Sequence, residues 1–174
     1  MPTEETQLIR RAQCGDRDAF AQLLKRFKQP VYHQALRMVG HAEDAADLTQ
    51  EVFLKVWQGL PSFQGDSTFS TWLYRLTSNA CIDFLRREKR RRGTLSLDDE
   101  EWELASQLPD PAPTPQKALE QRELRQALEA GLAQLSDEHR QVLILRELNG
   151  LSYEEIAQVL SPVSYTHLRA HETV

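Results

Sequence analysis

Residues 63–75 read Phe-Gln-Gly-Asp-Ser-Thr-Phe-Ser-Thr-Trp-Leu-Tyr-Arg, a polar loop that leads into a segment rich in aromatic side chains. The loop composition begins at residue 61, because Pro, Gly, Ser and Asp favour turns. Apolar residues then recur at helical spacing, which predicts a helix from about Thr68 to Arg92. A basic block at residues 86–92 closes this helix, so rings and cations lie at its opposite ends.

Helical patterns also fill the chain before this loop. Residues 17–39 carry an apolar stripe, in which Pro30 is expected to break or kink the helix and Gly40 to end it. A second helix is predicted to begin near Glu43 and Asp44, because carboxylates are favoured in the first turn. The apolar stripe of this second helix is Ala45, Leu48, Val52, Val56 and Leu60.

The second half of the chain opens on a different composition. Residues 93–116 are acidic and rich in proline, which predicts an extended linker. Helical pattern returns at residues 117–135, and Ser136 is predicted to cap a further helix that ends at Asn149-Gly150. The apolar stripe of the segment 117–135 is Leu119, Leu124, Leu128 and Leu132.

The last helix has the best-specified start in the chain. Ser152 and Glu155 have the spacing of a capping box, and Leu151 and Ile156 occupy the positions of a hydrophobic staple. A helix from Tyr153 to Leu160 is therefore predicted. The two helices that meet at this turn have the form of the front of a helix-turn-helix, which needs one more helix to enter the major groove. A generic helical hairpin is the alternative.

No alternating strand pattern occurs in the sequence, so the expected fold class is all-α. We predict two small helical domains joined by an acidic, Pro-rich linker, the second being an incomplete helix-turn-helix domain. The expected boundaries are 1–92 for the first domain, 93–116 for the linker and 117–161 for the second domain.

Composition narrows the class of function. Net charge is −5, and no run approaches the roughly 20 apolar residues of a membrane span. Met1 to Arg10 are too polar for a secretory signal, so a cytoplasmic protein is expected. Cys14 and Cys81 are isolated, which predicts neither a metal site nor a cofactor. No catalytic motif is found, and an enzyme is not expected.

The aromatic residues of the third helix allow two interpretations. Phe63, Phe69, Trp72 and Tyr74 lie close together in the sequence, beside Arg75 and before the basic block. Bases stack on exposed rings while cations hold phosphates, so this pattern suits single-stranded nucleic acid. Alternatively, the rings belong to the core and the arginines form a solvated helix end. Spacing alone leaves both interpretations open.

Several motifs together carry a resemblance to a known family. Residues 12–20 read Ala-Gln-Cys-Gly-Asp-Arg-Asp-Ala-Phe, and residues 43–53 read Glu-Asp-Ala-Ala-Asp-Leu-Thr-Gln-Glu-Val-Phe. With the loop and helix at 63–75, they resemble the second conserved domain of extracytoplasmic-function (ECF) sigma factors, a subfamily of sigma-70 family RNA polymerase sigma factors. Residues 145–157, Leu-Arg-Glu-Leu-Asn-Gly-Leu-Ser-Tyr-Glu-Glu-Ile-Ala, resemble the start of the family's fourth domain. The motifs occur in the family's order and favour the nucleic-acid interpretation.

The resemblance implies a sigma factor without catalytic activity. Such a protein binds core RNA polymerase and directs promoter −10 recognition, DNA melting and transcription initiation. In the family, the helix matching residues 47–57 docks on the clamp coiled coil of the largest polymerase subunit. The polymerase-contact residues implied by this match are Asp47, Leu48, Gln50, Glu51, Phe53 and Trp57.

The loop 61–68 and the following helix match the part of the family that captures a flipped base of the −10 non-template strand. The residues implied for the base pocket and stack are Phe63, Gln64, Asp66, Ser67, Thr68, Phe69 and Trp72. The residues implied for the DNA backbone are Arg75, Asn79, Arg86, Arg87, Lys89, Arg90 and Arg91.

The resemblance also implies further partners, and two other functions remain as alternatives. The acidic linker resembles the segment that threads toward the polymerase active site, and many relatives are held inactive by an anti-sigma factor. The alternatives are a helix-turn-helix regulator that does not need polymerase and a helical adaptor that binds only protein. Co-purification with core polymerase and binding to −10 single strands separate the three.

The end of the chain departs from the family. A basic recognition helix for the −35 element should follow Leu160, whereas residues 163–173 resemble the translation of a transposase sequencing adapter. We therefore expect residues 162–174 to be non-native and the second domain to be truncated, a divergent natural tail being the alternative. The apolar residues expected to lose their cover, leaving this half loosely packed, are Leu143, Ile144, Ile156 and Val159.

Overall fold

The computed structural model describes residues 1–93 and 114–160. Within these ranges every regular element is a helix, so the predicted all-α class is confirmed. The first range contains α1 (Glu4–Gln13), α2 (Arg17–Val39), α3 (Ala42–Gly59), a 3₁₀ turn (Leu60–Ser62) and α4 (Phe69–Arg92). The second contains α5 (Pro115–Gln134), α6 (Asp137–Leu143), a π-helical segment (Ile144–Leu148) and α7 (Tyr153–Leu160).

Two predicted segments fall mainly or wholly outside the described residues. They are the acidic linker at 93–116, of which only the two ends are described, and the tail at 162–174. Among the described residues, none of the helices has the length and apolar content that crossing a bilayer requires.

Polar side chains start the helices at the predicted positions. Thr68 Oγ1 accepts a hydrogen bond from the backbone N–H of Thr71 at the start of α4, and Ser136 caps α6 in the same way. The capping box of α7 is complete. Ser152 Oγ accepts from the N–H of Glu155 at 3.2 Å, and the Glu155 carboxylate accepts from the N–H of Ser152 at 2.8 Å.

Of the break or kink predicted near Pro30, the break does not occur. α2 is a single helix with Pro30 inside it, and it ends at Gly40, whose φ of 81° is the left-handed conformation that glycine adopts readily. Phe27 and Val31, which flank the proline, are 7% and 0% exposed. Burial of these neighbours in the core therefore holds the helix together despite the missing backbone donor.

α1 has no counterpart among the predicted helices. Its buried face consists only of Leu8 and Ala12, too few residues for a clear apolar period. The sequence feature that could have predicted α1 is its N-terminus, where Thr3 accepts from the N–H of Thr6 and acidic residues occupy the first turn. α1 packs against α2 and so becomes the outer helix of the first unit.

A single core joins the helices of the first unit. The predicted stripe of α3 is buried as expected, and it packs against α2 and α4. The buried side chains of this core include Leu23, Val31, Val52, Val56 and Leu73, each of which is at most 2% exposed.

The apolar face of the second unit is covered, contrary to expectation. Of the four residues expected to lose their cover, Ile144, Ile156 and Val159 are 3%, 5% and 5% exposed, and Leu143 is 42% exposed. The cover comes from the first unit: α7 packs on α4 and the π-helical segment packs on α2. Burying apolar area is favourable whichever segment supplies the partner, and here the first unit supplies it.

The stripe predicted on the first helix of this unit is mostly not core. Leu119, Leu124 and Leu128 on α5 are 57%, 65% and 53% exposed, and only Leu132 is buried. Among the described elements, none packs extensively along α5. The apolar stripe is therefore present in the sequence, but no described helix covers it.

Candidate promoter-DNA and polymerase interfaces

The rings near the start of α4 form a cluster inside the first unit. Ring centroids of Phe63 and Trp72 lie 5.0 Å apart, those of Phe69 and Trp72 5.8 Å, and those of Phe27 and Phe69 5.3 Å. Trp72 also packs closely against the end of α3, since a Cβ on Gly59 would be 3.2 Å from its ring. The cluster therefore joins the loop to α2, α3 and α4.

Phe69 and Trp72 are core residues, the second interpretation considered for these rings. They are 4% and 8% exposed, so neither presents a face on which a base could stack in this conformation. Their predicted role as direct stacking partners is corrected to support of the loop from below. Phe63 is half-buried at the loop's beginning.

The loop itself offers polar groups to solvent. Gln64, Asp66 and Thr68 are exposed and Ser67 is half-buried. Gly65 has a φ of 77°, a conformation that other residues adopt only with strain. The structure thus brings the predicted polar residues together on one short surface above the ring cluster.

The residues predicted to contact the DNA backbone lie on α4, which follows this loop in the chain. Arg75, Asn79, Arg86 and Arg90 are spaced by four, seven and four residues, which places them on one face of the helix. Arg75 is half-buried, and this burial lowers its guanidinium pKa. The other predicted backbone contacts on α4 are exposed and are Arg87, Lys89 and Arg91.

A groove of about 1110 Å³ lies between α2 and α3 on another side of the first unit. Of the predicted polymerase contacts, it is lined by Gln50, which is exposed, by Trp57, which is half-buried, and by Phe53, which is only 7% exposed and belongs to the core. The ring of Trp57 meets that of Phe20 edge-on, with centroids 4.8 Å apart. Apolar walls beside an exposed amide are typical of a protein-binding surface.

The remaining predicted contacts lie outside the groove lining. Asp47 is exposed, Glu51 pairs with Lys55 at 2.9 Å, and Leu48 is only 2% exposed. Leu48 is therefore a core residue and not a contact, because the same helical face carries the buried valines of α3. Sequence reasoning missed the contribution of α2 and the 64% exposed Leu54. The α2 residues that line the groove are Phe20, Leu24, Lys28, Gln29, Tyr32 and His33.

The docked second unit is fixed to the first by polar contacts. Asn149 Nδ2 donates to Gln34 Oε1 at 3.0 Å, and the fully buried Gln34 donates to Ser78 Oγ at 2.8 Å. Lys89 Nζ lies 2.6 Å from a carboxylate oxygen of Asp137. One predicted DNA-backbone residue is thus engaged by α6 in this arrangement.

Neither cysteine belongs to a ligand cluster. Cys14 and Cys81 are free, and no group of His, Cys, Asp or Glu suited to a metal ion occurs among residues 1–93 and 114–160. Burial raises the pKa of the Cys81 thiol to about 12.

Comparisons with known proteins match both units. The family model for sigma-70 region 2 matches residues 23–91, and the family model for sigma-70 region 4 matches residues 125–161. The ECF RNA polymerase sigma-E factor of Escherichia coli K12 is 36% identical over 156 residues, which cover 88% of this chain and 81% of that protein. SigW, an ECF RNA polymerase sigma factor of Bacillus subtilis, is 32% identical over 171 residues, covering 94% and 89%.

Among solved structures, CnrH in complex with the cytosolic domain of CnrY has a TM-score of 0.61 and 25% identity, covering 88% of this chain and 80% of that one. The chain belongs to the ECF sigma factors of the sigma-70 family. The predicted function is confirmed by this membership: the protein is a non-enzymatic transcription initiation factor that binds core RNA polymerase and promoter DNA. The alternatives of a polymerase-independent regulator and a protein-only adaptor are set aside.

Proposed function

We propose that residues 1–92 contain both promoter and polymerase surfaces, while residues 117–161 form a unit that belongs to the fourth domain. The loop at 63–68 and the polar face of α4 bind the −10 element as unpaired non-template DNA. One observation carries this proposal: the exposed polar loop is followed by a helix with Arg75, Asn79, Arg86 and Arg90 on a single face. Such a surface reads bases at one end and holds phosphates along the rest.

The phosphate-binding part is tested on the full chain with the double variant Arg86→Ala/Arg90→Ala. The probe is single-stranded DNA selected on the unaltered protein from a pool with a random core. Each lost phosphate contact lowers the slope of log affinity against log salt by about 0.7, so the pair should lower it by about 1.4. Fluorescence anisotropy across a salt series measures this slope.

The matched control removes two exposed cations from other helices, Lys25→Ala/Lys117→Ala. Its salt slope should stay that of the unaltered protein. An equal change in both double variants would show that only overall charge matters and would contradict the proposal.

The groove between α2 and α3 is proposed as the surface for the polymerase clamp coiled coil. Its apolar walls and exposed Gln50 and Leu54 suit a helical partner. Leu54→Glu should weaken binding to core polymerase at least about tenfold, because a carboxylate would lose its hydration at the interface. Leu124→Glu, an equally exposed leucine on α5, is the control for pull-down with core enzyme. Equal binding by both variants would refute this assignment.

An anti-sigma protein is proposed as a further partner. Support comes from CnrH, a similar chain that was solved in complex with the cytosolic domain of CnrY. We place the action of the protein in the cytoplasm, where RNA polymerase and promoter DNA are found.

A further inference from the structure

The last residue of α1 reaches the base of the loop that is proposed to read DNA. Gln13 Nε2 donates to the backbone carbonyl of Phe63 at 2.8 Å and to that of Leu60 at 3.1 Å. An amide NH₂ has two N–H donors, and these two carbonyls use both. The side chain therefore connects positions 47 and 50 residues away along the chain.

Both carbonyls belong to the turn by which α3 becomes the loop. Leu60 O also accepts from the N–H of Phe63 at 3.1 Å, which closes the 3₁₀ turn. Beyond this point Gln64 to Asp66 are exposed, and the next anchor is the helix cap at Thr68. The loop is thus held at its start by Gln13 and the Phe63 ring, and at its end by α4.

The amide is presented from a rigid support. Leu8 and Ala12 bury one face of α1 against α2, at 5% and 3% exposure. Asp16 accepts from Arg11 at 2.9 Å and also caps α2, which fixes the turn between the two helices. Because α1 is fixed in this way, the Gln13 amide restricts the movement of the two carbonyls that it binds.

We propose that Gln13 is a positioning residue for promoter recognition: it sets the loop so that the side chains at 64–68 meet the −10 bases. This inference rests on the proposed DNA-binding function of the loop. Both N–H donors of Gln13 are used by backbone carbonyls, so its loss should reduce sequence selectivity through the loop while phosphate binding by α4 continues.

The test compares Gln13→Met, which keeps the length without a donor, with Gln13→Lys, which keeps a donor for the carbonyls. Affinity is measured on the full chain for the selected single strand and for oligo(dT) of the same length. Gln13→Met should lose about tenfold in the ratio of the two affinities, the factor expected for one or two lost hydrogen bonds. Oligo(dT) binding should stay within about twofold, and Gln13→Lys should recover most of the ratio.

Gln7→Met, an exposed glutamine on the same helix, is the control and should keep the full ratio. Circular dichroism verifies that each variant is folded. Unchanged selectivity in folded Gln13→Met, or equal losses on both DNAs, would overturn the inference. So would a folded Gln13→Lys that is as unselective as Gln13→Met. If the unaltered protein enriches no sequence from the pool, the proposed function itself fails and takes this inference with it.

Discussion

Two glutamines show what single residues contribute to this fold. Gln34 is fully buried on α2 and bonds Ser78 Oγ and the carbonyl of Tyr74, while it accepts from Asn149. Gln13 bonds two carbonyls of the turn after α3. A buried amide must find partners or lose free energy, so each glutamine fixes the segments that it bridges.

Cys81 gives a test of burial at one residue. Because desolvation raises its thiol pKa to about 12, only roughly one molecule in ten thousand carries the reactive thiolate at pH 8. Iodoacetamide should therefore modify the exposed Cys14 in the native protein and Cys81 only in denaturant. Peptide mass spectrometry distinguishes the two sites. Native-state labelling of Cys81 as fast as Cys14 would contradict this packing.

At the scale of elements, local signals and tertiary packing agree at most helix ends. Thr68, Ser136 and Ser152 cap their helices because a short side-chain oxygen reaches the free backbone N–H groups. These positions could be predicted from the sequence. The continuity of α2 through Pro30 could not, because it depends on the burial of its neighbours by other helices.

Pro30→Ala should stabilise the protein, because alanine restores a backbone donor in the interior of α2. The expected gain in the free energy of unfolding is about 1–3 kcal/mol. Urea denaturation followed by far-UV circular dichroism measures it.

Pro61→Ala is the control, since Pro61 is the second residue of the 3₁₀ turn, where its fixed φ suits the turn and a backbone N–H would have no acceptor within the turn. This variant should be neutral or slightly less stable. A loss of stability in Pro30→Ala would mean that the ring itself is needed for packing.

At the scale of the whole molecule, the second unit completes its core on the first. Tyr74 of α4 lies in one cluster with Leu145, Leu151, Ile156 and Val159, and Ile144 joins the core of the first unit. This arrangement corrects the expectation of an open apolar face. It also engages Lys89 of the proposed DNA surface with Asp137 of α6.

Ile156→Asp should release the second unit from the first, because a carboxylate cannot remain buried without a partner. The radius of gyration from small-angle X-ray scattering should increase, while the helices of the first unit keep their stability. Leu143→Asp, at a 42% exposed position of the same unit, should leave the dimensions unchanged. An unchanged radius for both variants would show that the docking does not depend on this apolar contact.

The family motifs and periodic apolar residues were sufficient to predict the all-α class, the main helices and the role in transcription initiation. They suffice because caps and stripes depend on neighbours within a turn or two along the chain. Tertiary structure alone decided that Phe69, Trp72 and Leu48 lie in the core, that α2 helps to form the groove, and that Gln13 holds the loop. These features depend on contacts between residues far apart in the chain, which local spacing does not encode.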